Sequence, residues 1–217
     1  MKVSLLTKKK LIEICKRIYD KGFVAANDGN VSLKLEDKIL VTPTEKSKGF
    51  LKLEDLVVVD LKGKKLKGRL NPTSELLMHL FVYEKRADVC AVVHAHPPYS
   101  TALAIAKVRL PEFLLPEVIL SLGKIPLAPY ATPSTYEVCE SIAGLVGDHD
   151  AIIMENHGVV TVGKNLEEAY LKLERVEHFS KIFSLASRLG KIKELSKEQI
   201  NKLFKISEGF IEKEKSP

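Results

Sequence analysis

The chain has 217 residues, of which 45% are hydrophobic and 29% charged, the size and composition of one domain with a sizeable core. Intrinsic disorder is excluded, and so is a membrane span, because no apolar run approaches the ~20 residues that one requires. Thirty-four basic against 28 acidic residues leave a net charge of +6. The lysines are interspersed with glutamates, and 8 Phe, 6 Tyr and no Trp offer few stacking platforms, so a solvated surface is expected, with neither nucleic acid nor membrane as partner.

Four lysines in the first ten residues are followed by an amphipathic pattern in place of an apolar leader, which points to a cytoplasmic protein. Thr7 is placed to cap a helix whose apolar positions Leu11, Ile12, Cys15, Ile18 and Tyr19 recur at 3.6-residue spacing as far as Gly22. Extended runs follow at 31–35, 39–42 and 56–61, and Asn71-Pro72-Thr73-Ser74 opens a second helix through Leu76, Leu77, Leu80 and Phe81. Strands are expected at 90–94, 125–128, 151–155 and 159–162, with helices at 100–106, 134–146 and 165–189. Ser196 and Gln199 form a capping box for a last helix, and residues 211–217 read as a frayed tail. Residues 1–217 therefore read as a single α/β domain around a mostly antiparallel sheet, since several strand connections are too brief for a crossover helix. Cys15, Cys90 and Cys139 lie far apart among apolar neighbours and read as buried free thiols.

Chemistry concentrates in five places. His94-Ala95-His96 closes an apolar strand, where residues two apart project to one side and both imidazoles can reach one metal ion. The plain alternative is a pair of surface histidines. His157, at the Asn156-His157-Gly158 break between two strands, is either a third ligand or an exposed turn residue. Three histidines leave coordination positions open, as catalytic zinc sites require. Glu75 falls in a first helical turn, where acidic residues are common anyway, but Thr73 and Ser74 beside it put hydroxyls and backbone N–H groups at a helix end that suits phosphate. The loops at Asp28-Gly29-Asn30 and Thr42-Pro43-Thr44-Glu45-Lys46-Ser47-Lys48 offer further amides, hydroxyls and positive charge to an anion, or are simply turns.

Taken in order, Gly29-Asn30-Val31-Ser32, Thr42-Pro43-Thr44, Thr73-Ser74-Glu75, His94-Ala95-His96, Ala128-Pro129-Tyr130-Ala131 and Asn156-His157-Gly158 resemble the zinc-dependent class II aldolases of the L-fuculose-1-phosphate aldolase type, within the aldolase/adducin superfamily. The resemblance implies a three-layer α/β/α sandwich. It implies one Zn²⁺ per subunit held by His94, His96 and His157, with Glu75 both ligand and base. A phosphate pocket of Gly29, Asn30, Thr44, Thr73 and Ser74, with Lys46 nearby, is implied too. So is a homotetramer whose active sites lie at subunit boundaries. The reaction implied is retro-aldol cleavage of a ketose 1-phosphate to dihydroxyacetone phosphate and an aldehyde, with the metal stabilising the enediolate.

The chain departs from the family pattern twice. Glu45 stands where fuculose-phosphate aldolases have glycine. The family's catalytic tyrosine has no counterpart between the His-x-His strand and Ala128, which leaves Glu117, at the helix start after Pro116, as the nominated proton donor. Other readings on the same scaffold are a methylthioribulose-1-phosphate dehydratase, a pentulose-5-phosphate 4-epimerase and a non-catalytic adducin-like binding module. Of the remaining histidines, His79 lies four residues beyond Glu75 on the same helical face, while His149 and His178 are expected to face solvent.

Overall fold

The computed structural model describes residues 3–214, with side chains as far as 206. Helix α1 (Leu5–Asp20) starts one turn earlier than its apolar stripe, because Ser4 Oγ accepts from the Thr7 backbone N–H and is the cap that Thr7 was expected to be. Its stripe Leu11, Ile14, Cys15 and Ile18 is buried. Strands β1 (Asn30–Lys34), β2 (Lys38–Val41), β3 (Val57–Asp60), β4 (Lys65–Lys67), β5 (Ala91–Ala95), β6 (Leu127–Ala128), β7 (Ala151–Met154) and β8 (Gly158–Gly163) make one sheet ordered β4-β3-β2-β1-β5-β8-β7-β6. All neighbours are antiparallel except β6 and β7.

The helices α2 (Leu76–Lys85), α3 (Pro98–Ile105), α4 (Pro116–Ser121), α5 (Glu137–Ile142), α6 (Leu166–Leu189) and α7 (Lys197–Glu214) complete the chain. Successive strand residues point to opposite faces, so β5 sends Val93 and Ala95 into a core with α1, α3, α4 and α6, and Val92 into a second core with α2 and α5. Two apolar layers, one on each face of the sheet, give the three-layer α/β/α sandwich. The same alternation turns His94 toward the α2 face, in register with Asn30 of β1 on one side and Val160 of β8 on the other.

Side chains accepting from backbone N–H groups set the helix boundaries. Asn165 Oδ1 caps α6 by accepting from the Glu168 N–H, and Ser196 and Gln199 cap α7 reciprocally at 2.8 and 3.3 Å. Helix α5 covers less than the expected 134–146. Strand β4 carries no sequence signal: Lys65-Leu66-Lys67 is exposed, and it is a strand only because β3 offers it an edge. The expected frayed tail falls in the last residues of α7, whose side chains lie outside the described residues, as do residues 215–217. Cys15 and Cys139 are buried free thiols, whereas Cys90 is only half-buried. Among the described residues no helix is long and apolar enough to cross a membrane.

Candidate metal centre

His94, at the sheet centre, is fully buried; His96 follows it past the end of β5, and the tight turn between β7 and β8 delivers His157. That turn needs its flanking residues. Asn156 sits at φ +54°, and a Cβ on Gly158 would run into the Ala95 carbonyl and come within 2.6 Å of the His96 ring. One ring nitrogen from each of the three histidines lies within 4.8 Å of the others. His94 Nδ1 is 3.0 Å from the Val159 carbonyl, which can only accept, so Nδ1 carries a proton and Nε2 is the nitrogen that faces the cluster. A ring fixed this way by its second nitrogen is the usual arrangement of a metal-binding histidine.

Glu75 enters from the start of α2. Its Oε2 is 3.2 Å from His94 Nε2, and its Oε1 is 3.1 Å from His157 Nε2. Burial works against a charge on this carboxyl, yet His94 and His157 outweigh it and hold Glu75 well below the usual carboxylate range. Burial and the neighbouring His94 push His96 down to about 3, and burial likewise lowers His157, so both present neutral, ligand-competent rings. Burial opposes but does not prevent a rise at His94, whose partner is Glu75. Glu75 Oε1 is buried without a hydrogen-bond partner although it is close to His157, which is the geometry of donors that share an ion and not a proton. Three imidazole nitrogens and one carboxylate fit a borderline-soft divalent cation in a four-coordinate site.

The two loops that the sequence offers to an anion close around this centre. Thr42 ties β2 to β1 and to the approach to α2: its Oγ1 accepts from the Val31 N–H at 3.1 Å, and its carbonyl accepts from the Thr73 N–H at 3.0 Å. The Thr44 N–H donates to the Asn71 carbonyl at 3.1 Å, so Thr44, Thr73 and Ser74 are held on adjacent backbone next to Glu75. Gly29 has φ +71°, and a Cβ there would meet the His94 carbonyl oxygen at 2.8 Å, so only glycine lets this loop pass under the histidines. Asn30 is buried with both ends of its amide engaged, Nδ2 donating to Glu75 Oε2 at 2.8 Å and Oδ1 facing His79.

The lysines of the second loop separate. Lys46 is exposed, whereas Lys48 turns inward, 1% exposed, and donates to the carbonyls of Asn27 at 2.8 Å and Lys46 at 2.5 Å. It fastens one anion loop to the other, and burial lowers its pKa. Glu45 holds φ +57°, a conformation glycine adopts freely, with its side chain exposed. Glu117, on the exposed first turn of α4, makes no hydrogen bond or ion pair to the cluster; it lines a separate cavity of about 730 Å³ with Phe23, Pro98, Tyr99 and His178. Tyr130 is 56% exposed. Ser32, His79 and Tyr83 lie behind this centre and were not among the predicted site residues. The available signal was spacing, with Glu75, His79 and Tyr83 four apart on a helix and Asn30 and Ser32 two apart on a strand.

The comparisons agree with this geometry. Residues 9–184 match the Class II Aldolase and Adducin N-terminal domain. The chain is 41% identical over 177 residues to an L-fuculose phosphate aldolase of Methanocaldococcus jannaschii, covering 82% of this chain and 95% of that protein. It is 32% identical over 185 residues to a 3-oxo-tetronate 4-phosphate decarboxylase of Haemophilus influenzae, covering 83% and 88% of the two chains. A solved L-fuculose 1-phosphate aldolase superposes with a TM-score of 0.86 at 30% identity, covering 95% of this chain and 98% of its own. With three histidines and a carboxylate converging on that shared fold, the chain belongs to the class II aldolase and adducin N-terminal domain family.

Proposed function

We propose that this protein is a zinc-dependent aldolase that cleaves a ketose 1-phosphate of the L-fuculose type to dihydroxyacetone phosphate and an aldehyde. The observation that carries the reading is the convergence of His94, His96 and His157 on one another beside Glu75, which contacts His94 and His157 and whose Oε1 is buried without a hydrogen bond. A divalent cation held by these four residues supplies Lewis acidity toward the substrate carbonyl. Thr44, Thr73 and Ser74, with the backbone at Gly29 and the charge of Lys46, hold the phosphate and keep the three-carbon unit in register. As the C3–C4 bond breaks, the C4 hydroxyl gives its proton to the ionised Glu75 and C4 becomes the aldehyde. Glu75 returns a proton to C3, which becomes the hydroxymethyl carbon of the product. Glu75 is 9% exposed, which limits the water that would otherwise compete for that proton.

A second reading has its own support. Among the described residues, the only carboxylate or phenol in contact with the histidine cluster besides Glu75 is Asp28, 3.7 Å from His96 Nδ1, and Glu117 stands apart from it. Decarboxylation of a phosphorylated 3-oxo acid needs no base for a departing aldehyde, because carbon dioxide leaves without proton transfer. The 32% identity to a 3-oxo-tetronate 4-phosphate decarboxylase points the same way. Zinc-loaded and chelator-treated enzyme given L-fuculose 1-phosphate and, separately, 3-oxo-tetronate 4-phosphate decides between them. Dihydroxyacetone phosphate from the first, lost on chelation, supports the aldolase. Carbon dioxide from the second alone replaces it with the decarboxylase, and turnover unaffected by chelation overturns both.

A further inference from the structure

Behind the metal centre, five buried polar side chains form one continuous row: Glu75, Asn30, His79, Ser32 and Tyr83, none more than 9% exposed. The contacts are 2.8 Å from Asn30 Nδ2 to Glu75 Oε2, 2.5 Å between Asn30 Oδ1 and His79 Nε2, 2.6 Å between His79 Nδ1 and Ser32 Oγ, and 2.6 Å between Ser32 Oγ and Tyr83 Oη. One premise fixes every proton in it. Asn30 donates from Nδ2 to Glu75 Oε2, so its carbonyl oxygen faces His79. His79 Nε2 must then carry the ring proton. His79 is fully buried with no carboxylate against it, and burial brings its pKa down to about 3, so the ring is neutral and Nδ1 accepts. Ser32 therefore donates to Nδ1, and Tyr83, whose hydroxyl burial keeps protonated, donates to Ser32.

We infer that His79, with Ser32 and Tyr83 behind it, is a positioning residue that sets the orientation of the Asn30 amide and thereby pins Glu75 Oε2, leaving Oε1 as the oxygen presented to metal and substrate. The row is not a proton path, because an amide cannot pass a proton on without becoming an unstable imidic acid. Its action is directional: all four links donate toward Glu75, and hydrogen bonds aligned in one sense inside a low-dielectric interior strengthen one another. Leaving Glu75 Oε1 as the one unpartnered oxygen of the row follows from this, since Oε2 is already committed to Asn30. The Asn30 amide can still offer phosphate the second Nδ2 hydrogen, so the row is compatible with the anion loops.

The inference rests on the reading of Glu75 as metal ligand and base, and the test separates the two. Zinc affinity is measured by competition with a chromophoric chelator, alongside kcat and KM, for the wild type, His79→Gln, His79→Leu and Ser32→Ala. His79→Leu, which cannot donate to Asn30, is expected to bind zinc about 10- to 100-fold more weakly and to lose kcat by a similar factor with KM within about threefold. His79→Gln, whose amide N–H can replace Nε2–H, is expected to recover zinc affinity to within about fivefold of the wild type. Ser32→Ala frees the tautomer of His79 and should weaken zinc binding about threefold or more, and it carries the test if His79→Leu does not fold. Folded His79→Leu or Ser32→Ala with wild-type zinc affinity and kcat overturns the positioning role while leaving the metal reading intact. Failure of the wild type itself to bind zinc overturns both.

Discussion

At Glu75 the two oxygens are unequal, one held by Asn30 and the other beside His157 without a hydrogen bond. Glu75→Gln keeps the size of the side chain and loses the base. It is expected to retain zinc on the three histidines while turnover drops by ~10² to 10⁴, as removal of a general acid–base group does, read by metal analysis and product release. Gly158 has no room for a methyl group between the Ala95 carbonyl and the His96 ring. Gly158→Ala should cost about 1–3 kcal/mol in chemical unfolding and also weaken zinc binding by displacing His96. Glu45 combines a left-handed backbone with a negative charge beside the loop that offers itself to phosphate. Glu45→Gly should leave stability nearly unchanged, since relief of backbone strain is offset by a freer unfolded chain. It should lower KM for a phosphorylated substrate about fivefold, the effect of ~1 kcal/mol of repulsion between unit charges about 4 Å apart in water. The candidate metal ligands were legible at this scale because His-x-His on a strand and Asn-His-Gly at a strand break each carry a local geometric meaning. Ser32 and Tyr83 were not, because serine and tyrosine in regular elements take any role that the facing element assigns.

Among the elements, the joint between α2, β7 and α6 is charged. Arg86, just past α2, donates to Asp88 and Asp150 at 2.8 Å and to the Val146 carbonyl at 3.2 Å, while Lys172 of α6 donates to Asp150 at 2.7 Å and Glu168 at 2.6 Å. Burial opposes ionisation of Asp150, but Lys172 and Arg86 outweigh it and hold its pKa below the usual value. A carboxylate whose folded pKa is depressed stabilises the fold above its unfolded pKa of ~3.9 and loses that stabilisation as the pH falls through the folded value. Asp150→Asn should therefore cost about 2 kcal/mol at pH 7 and progressively less below about pH 4, measured by urea unfolding across that range. Most helices could be read from periodicity and caps. The edge strand β4 could not, since it is three residues long, all of them exposed, and its backbone is ordered by β3 alone.

For the molecule as a whole, stability and metal binding should be linked, because the four proposed ligand residues come from β5 and the residue following it, the β7–β8 turn and the start of α2, and only the folded chain brings them together. Zinc at a thousandfold excess over its dissociation constant should stabilise the protein by about 4 kcal/mol, raising the unfolding midpoint by roughly 8–16 °C, an effect that chelator removes in calorimetry. By itself the amino-acid sequence determined the α/β class, the mostly antiparallel sheet, and the three histidines and glutamate as ligand candidates, because hydrophobic periodicity and short motifs are local properties. Only the tertiary structure decided that β5 lies between β1 and β8, that Lys48 turns inward while Lys46 stays out, and that Glu117 faces a different cavity from Glu75. The physical reason is that strand order, burial of a charge and alignment of an amide depend on partners 21 to 65 residues away in the chain, and no local pattern encodes which partner will be there.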